Sequence, residues 1–173
     1  MEKPWLQHYD AGVPASLNYP PQTIHGILEA TAARWGSQPA TCFADHSLSY
    51  SQIDTLSDQL ARALLILGLQ KGDRVGLLLP NCPQFVLAFY AILKAGGVVA
   101  AINPQYRPRE LEAQLQDAGA EILISVRSAA QVIQSVQPHL NLRHIIWTDL
   151  EDAPALADQP SSPPVFYSAP EMD

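Results

Sequence analysis

Two short polar segments interrupt the most apolar part of the chain, and both are of a kind that handles anions. Pro80-Asn81-Cys82 follows the run Val75-Gly76-Leu77-Leu78-Leu79, and Asn103-Pro104-Gln105-Tyr106-Arg107 follows Val98-Val99-Ala100-Ala101-Ile102. Each joins a strand-like run to a helix-like one. Each therefore delivers a helix N-terminus, whose free N–H groups and positive dipole end hold anions. Arg107 and Arg109 add charge suited to a phosphate. Asn81, Asn103, Gln105, Tyr106 and Arg107 are thus the candidate binding residues, for a phosphate-bearing ligand. Plainer roles also fit them, because asparagine caps helices and turns and arginine is commonly solvated.

No catalytic residue is nominated. The sequence holds no G-x-x-x-x-G-K-[ST] loop and no G-x-G-x-x-G after a strand. It also lacks a G-x-S-x-G elbow. Its five histidines (His8, His25, His46, His139, His144) are scattered without metal spacing. Cys42 and Cys82 match no metal or redox pattern and read as reduced thiols, buried or half-buried, with a reactive Cys82 as the alternative.

The elements that must carry the two loops are legible from periodicity. Thr23–Trp35 reads as a helix capped by Thr23, with Ile24, Ile27, Leu28 and Thr31 on one side. Residues 40–50 read as a small hairpin turning at Asp45-His46. Ser51–Leu67 is a helix whose stripe is Leu56, Leu60, Ala63, Leu64 and Leu67, with Ser51 and Asp54 shaped like a capping box. Arg74–Leu79 and Val98–Ile102 are buried strands without polar alternation, as in a parallel sheet covered on both faces. Between them a helix opens at Pro83, capped by Asn81 or Cys82. Further on come a helix from Pro108 to Gly119, a strand at Glu121–Val126, a helix at Ser128–Gln137 and a strand at His144–Trp147.

The fold class is therefore α/β, a mostly parallel sheet with flanking helices. An extended arm, 1–22, precedes the α/β subdomain at 23–148, with Trp5, Leu6, Tyr9 and Leu17 as the arm's anchors. A Pro/Ser/acid-rich linker outside the sheet, 149–173, follows it. The 47% hydrophobic and 16% charged composition is that of a globular protein, and the net charge of −7 argues against nucleic-acid partners. Phe85–Ile102 raises a membrane span. However, Lys94 lies inside it and Gly96-Gly97 interrupts it, so a buried helix feeding a strand fits better. No signal peptide is visible at the N-terminus.

The segments PWLQHYDAGVPASLNYP at 4–20 and LSYSQIDTLSDQLARALLILGLQKGDRVGLLLPNCPQFVLAFYAILKAGGVVAAINPQYRPRELEAQLQDAGAEILI at 48–124 resemble the N-terminal portion of long-chain fatty acyl-CoA synthetases, of the adenylate-forming superfamily. The most specific features are Gly72-Asp73-Arg74-Val75, the exit Leu79-Pro80-Asn81, and Asn103-Pro104. The resemblance implies attack of a carboxylate on the ATP α-phosphate to give an acyl-adenylate and diphosphate, then displacement of AMP by the CoA thiol. ATP, Mg²⁺ and CoA are its implied cofactors for a full-length enzyme, with none held tightly by these residues alone. The five candidates would be substrate- or CoA-proximal. Relatives with an arginine just after Asn-Pro use it on the CoA 3′-phosphate; here that position is Gln105, with Arg107 nearby.

The family's Ser/Thr/Gly-rich phosphate loop has no counterpart, since Ser161-Ser162-Pro163-Pro164 does not match it. The expectation is an N-terminal fragment, inactive alone, that works with the remainder of its own polypeptide on a fatty acid or other carboxylate. It would be cytoplasmic, with peripheral membrane contact as a further option. The alternative is a free-standing α/β module that binds CoA, an acyl ligand or a protein partner.

Overall fold

The computed structural model describes residues 3–150 and the backbone of 167–168. In chain order the elements are α1 (Ile24–Trp35), β1 (Pro39–Phe43), β2 (His46–Ser49), α2 (Tyr50–Ile66), β3 (Arg74–Leu78), α3 (Pro83–Lys94) and β4 (Val98–Ala101). They continue with α4 (Pro108–Ala118), β5 (Ile122–Val126), α5 (Ala130–Val136), β6 (His144–Thr148) and β7 (Tyr167–Ser168). β1 and β2 form an antiparallel hairpin, and the main sheet has the order β4-β3-β5-β6-β7. Its pairs β3–β4, β3–β5 and β5–β6 are parallel, as the α/β reading requires.

Alternation along each strand sends successive side chains to opposite faces. Val75, Leu77, Ile122, Ile124, Val126 and Ile146 join Leu60, Leu64, Ala88 and Ile92 in one core layer under α2 and α3. Leu78, Leu123, Ile145 and Trp147 join Leu111, Leu115 and Ile133 in the other, under α4 and α5. Each buried leucine or isoleucine contributes roughly 1.5–3 kcal/mol relative to exposure. Gly76 sits between β4 and β5 on the α4 face. A Cβ there would lie 2.9 Å from Leu123 Cδ1 and 3.0 Å from Leu115 Cδ2, so the missing side chain is what lets α4 settle on the sheet.

Several expectations are corrected by these elements. α2 begins one residue earlier, because its capping box is Ser49 and Gln52, not Ser51 and Asp54. Ser49 Oγ accepts from the Gln52 N–H at 3.3 Å, while Gln52 Oε1 accepts from the Ser49 N–H at 2.8 Å. Asp54 is engaged elsewhere. The Lys94 ammonium, at the end of α3, donates to Asp54 Oδ1 and Asp58 Oδ1, both at 2.6 Å, and to the Asp54 carbonyl at 2.9 Å. That clamp between α2 and α3 explains a lysine inside an apolar run.

α1 turns Leu28 and Ala32 inward, whereas Ile24 and Ile27 are about half exposed, because only a narrow stripe of this helix meets α2. β4 is an edge strand, not a buried one: Val98 is 48% exposed. The arm is not wholly extended, since Pro4–His8 forms a short 3₁₀ turn. Of its expected anchors, Trp5, Tyr9 and Leu17 are exposed and only Leu6 is half-buried. β7 brings Tyr167–Ser168 antiparallel onto β6, from a segment read as lying outside the sheet. The rest of the linker at 151–173 lies outside the described residues, as do residues 1–2. No described helix is long and apolar enough to cross a membrane, and α3 ends after 12 residues at Lys94.

Candidate functional site

Parallel strands place all their carboxyl ends on one edge of a sheet, and ligands bind there, where the strand order reverses. Here the chain runs from β3 to its neighbour β4, then crosses to the opposite side of β3 to form β5. The reversal therefore lies between β3 and β5. The segment after β3, with Asn81, is on this crevice. The segment after β4 shares the same edge but belongs to the outermost strand. Sequence reasoning missed the exit of β5. There Arg127 pairs with Asp149, at the exit of β6, with Nε 3.0 Å from Oδ2. The available signal was polar Arg127-Ser128 directly after the largely apolar run Ile122-Leu123-Ile124-Ser125-Val126.

Asn81 is exposed and lines an open groove of about 360 Å³ between the hairpin and the start of α3, with Thr41, Phe43, Cys82, Phe85 and Val86. Phe43, Cys82 and Phe85 connect this wall to the core layer under α2 and α3. The second loop faces the other way. Asn103 Oδ1 accepts from the Gln105 N–H at 3.0 Å, which closes an Asx turn. The Tyr106 ring is half-buried against the layer under α4 and α5. Arg107 precedes α4, and its N–H donates to Glu110 Oε2 at 3.0 Å. The Gln105 and Arg107 side chains are exposed. The five candidates thus share an edge but divide between the two faces of the sheet. Asn81 lines the groove, and Asn103, Gln105, Tyr106 and Arg107 do not.

Of the caps expected for α3, Cys82 holds the position without a side-chain hydrogen bond. Burial pushes its thiol above the ordinary 9.0, against a weaker opposite pull from the Phe85 and Gln84 amides. A raised value removes the thiolate that reactivity requires, which disfavours a reactive Cys82. Cys42 is exposed, contrary to the buried or half-buried reading, because it occupies an outward position of β1. At pH 8 an alkylating reagent is expected to modify one thiol per native chain quickly, Cys42, and the second only after denaturation. Two fast thiols would contradict the burial of Cys82. The unfolded thiol ionises first as pH rises past 9.0, so Cys82 also makes stability fall with pH from there upward.

Comparison with known proteins adds a consistent set of likenesses. The family model described as AMP-binding enzyme matches residues 28–171. A long-chain-fatty-acid–CoA ligase of Bacillus subtilis (strain 168) is 43% identical over 125 residues, which cover 72% of this chain and 22% of that protein. The long-chain-fatty-acid–CoA ligase of Salmonella typhimurium (strain LT2) is 38% identical over 156 residues, covering 88% of this chain and 28% of that protein. Among solved structures, an anthranilate CoA ligase in complex with anthranoyl-AMP superposes with a TM-score of 0.70 at 27% identity, over 82% of this chain and 29% of that one. The chain spans about a quarter of the length of these curated relatives.

Proposed function

This chain belongs to the AMP-binding enzyme family, and from that premise we propose that it forms the amino-terminal α/β part of an ATP-dependent ligase for long-chain fatty acids. In that reaction a fatty carboxylate attacks the ATP α-phosphate, diphosphate leaves, and the CoA thiol then displaces AMP from the acyl-adenylate. The observation that carries the reading is the 43% identity to a long-chain-fatty-acid–CoA ligase over 125 residues. The carboxyl edge supplies a wall for such a site: the β3 exit with Asn81, the β5 exit with Arg127, and the first turn of α3. Mg²⁺ offsets phosphate charge in this class of transfer. Among the described residues no three His, Cys, Asp or Glu side chains converge to hold a metal, so none is assigned to it. A cytoplasmic location, with peripheral membrane contact to collect an apolar acid, accompanies the reading.

The 173 residues alone lack a Ser/Thr/Gly-rich phosphate loop in their sequence. They are expected to give no fatty-acid-dependent exchange of radiolabelled pyrophosphate into ATP. Grafted in place of the corresponding quarter of the Bacillus subtilis ligase, they are expected to restore long-chain acyl-CoA formation. Exchange by the isolated chain would overturn the claim of inactivity. A folded but inactive graft would overturn the ligase reading.

A further inference from the structure

Among the described residues, two polar atoms at the carboxyl edge of the sheet are buried without a hydrogen-bond partner: Gln84 Oε1 and Thr148 Oγ1. Gln84 is 1% exposed, and Thr148 is fully buried. Gln84 is the second residue of α3, and its amide Nε2 donates to the Asp149 carbonyl at 2.8 Å, so it reaches across to the end of β6. Thr148 is the residue before that carbonyl. It pairs with Val126 and lies two residues beyond Ile146, and both of these belong to the core layer under α2 and α3. By strand alternation the Thr148 side chain therefore points to the α3 face, toward the first turn that carries Gln84. The two atoms do not bond to each other, though one needs a donor and the other offers one.

Native interiors rarely leave such a pair unsatisfied. Neither atom is reachable from the surface, which excludes a substrate-sized ligand. A single water, which needs two to four polar partners, meets both requirements. We propose that Gln84 Oε1 and Thr148 Oγ1 share one buried structural water, which ties the first turn of α3 to the exit of β6 across the strand-order reversal. The water donates to the glutamine oxygen and accepts from the threonine hydroxyl. Gln84 and Thr148 are then positioning residues for the crevice wall formed by Asp149 and Arg127. This inference does not depend on the reaction proposed above.

Thr148→Val removes the hydroxyl at constant shape, and the sign of its effect separates the possibilities. With a shared water, T148V lowers the unfolding midpoint by about 2–4 °C, the shift that the loss of one buried hydrogen bond produces in a chain of this size. With an orphaned hydroxyl, T148V leaves the midpoint unchanged or raises it, and the proposal fails. In a Gln84→Met background the water has lost its second partner, so T148V is expected to be neutral or stabilising. A full drop that persists in that background would overturn the shared bridge. A crystal structure of the unaltered 173-residue chain, at a resolution that shows ordered solvent, gives an independent readout. Density within hydrogen-bonding distance of both atoms supports the assignment, and its absence refutes it.

Discussion

Lys94→Met is expected to destabilise the fold by about 2–3 kcal/mol, read as a lowered midpoint in urea. The lysine side chain is 6% exposed and holds two carboxylates, Asp54 at 27% and Asp58 at 50% exposure. Removing one partner of a fully buried ion pair costs about 3–5 kcal/mol. Asp58 is half solvated and recovers part of its hydration, which brings the figure down. Asp54 recovers less, and its backbone carbonyl also loses a donor. The charge is the cause rather than the packing, since methionine keeps most of the stem. Adding Asp54→Asn and Asp58→Asn to Lys94→Met is therefore expected to restore a large part of the loss. A single-variant effect below about 0.5 kcal/mol, the scale of exposed pairs, would show that the clamp contributes little.

Gly76→Val is expected to cost about 3 kcal/mol, toward the upper end for overpacking. Its neighbours Leu123, Leu115 and Ile102 are at most 3% exposed, so their side chains have nowhere to swing. The strain is relieved most readily by lifting α4 away from β3. Tyr106 packs in the same layer, and α4 starts at Pro108, so the loop at 103–107 should move with the helix. Amide chemical shifts in 103–107 and along α4 are expected to change, while those of α2 stay near their original positions. Unchanged stability, or shifts confined to α2 and α3, would refute this account.

Most of the sheet was legible because its chemistry is local. Five apolar residues ending in a proline, as at 75–80, read as a covered strand wherever they occur. Gly119 ends α4 in the left-handed region, at φ 58°, where glycine is favoured. What was misread depends on distant partners. Val98–Ala101 is as apolar as a central strand, yet nothing in those residues reveals that only β3 pairs with them. Ser49 and Ser51 both begin plausible capping frames. Gln52, the stronger partner three residues on, marks the true one, and Asp54 is withdrawn by a lysine 40 residues away.

The candidate loops were found for the same local reason, a polar break after an apolar run. Their separation onto opposite faces was not. That separation follows from strand order and from which core layer each loop's anchor enters. Cys82 enters one layer and Tyr106 the other. Gln84 and Thr148, 64 residues apart in sequence, had no sequence signal at all, because a buried hydroxyl and a buried amide are distinguished from surface ones only by the packing above them.

The position of β4 gives the carboxyl edge two mechanically unequal sides. The loop after β3 is rooted in a strand hydrogen-bonded on both flanks, whose amides should open only with the whole domain. The loop after β4 hangs from a strand that pairs with β3 on one flank, and the Gln114 side chain donates to its Ala101 carbonyl. The segment that carries Asn81 is therefore an anvil on one face of the sheet, and the segment that carries Asn103 a spring on the other.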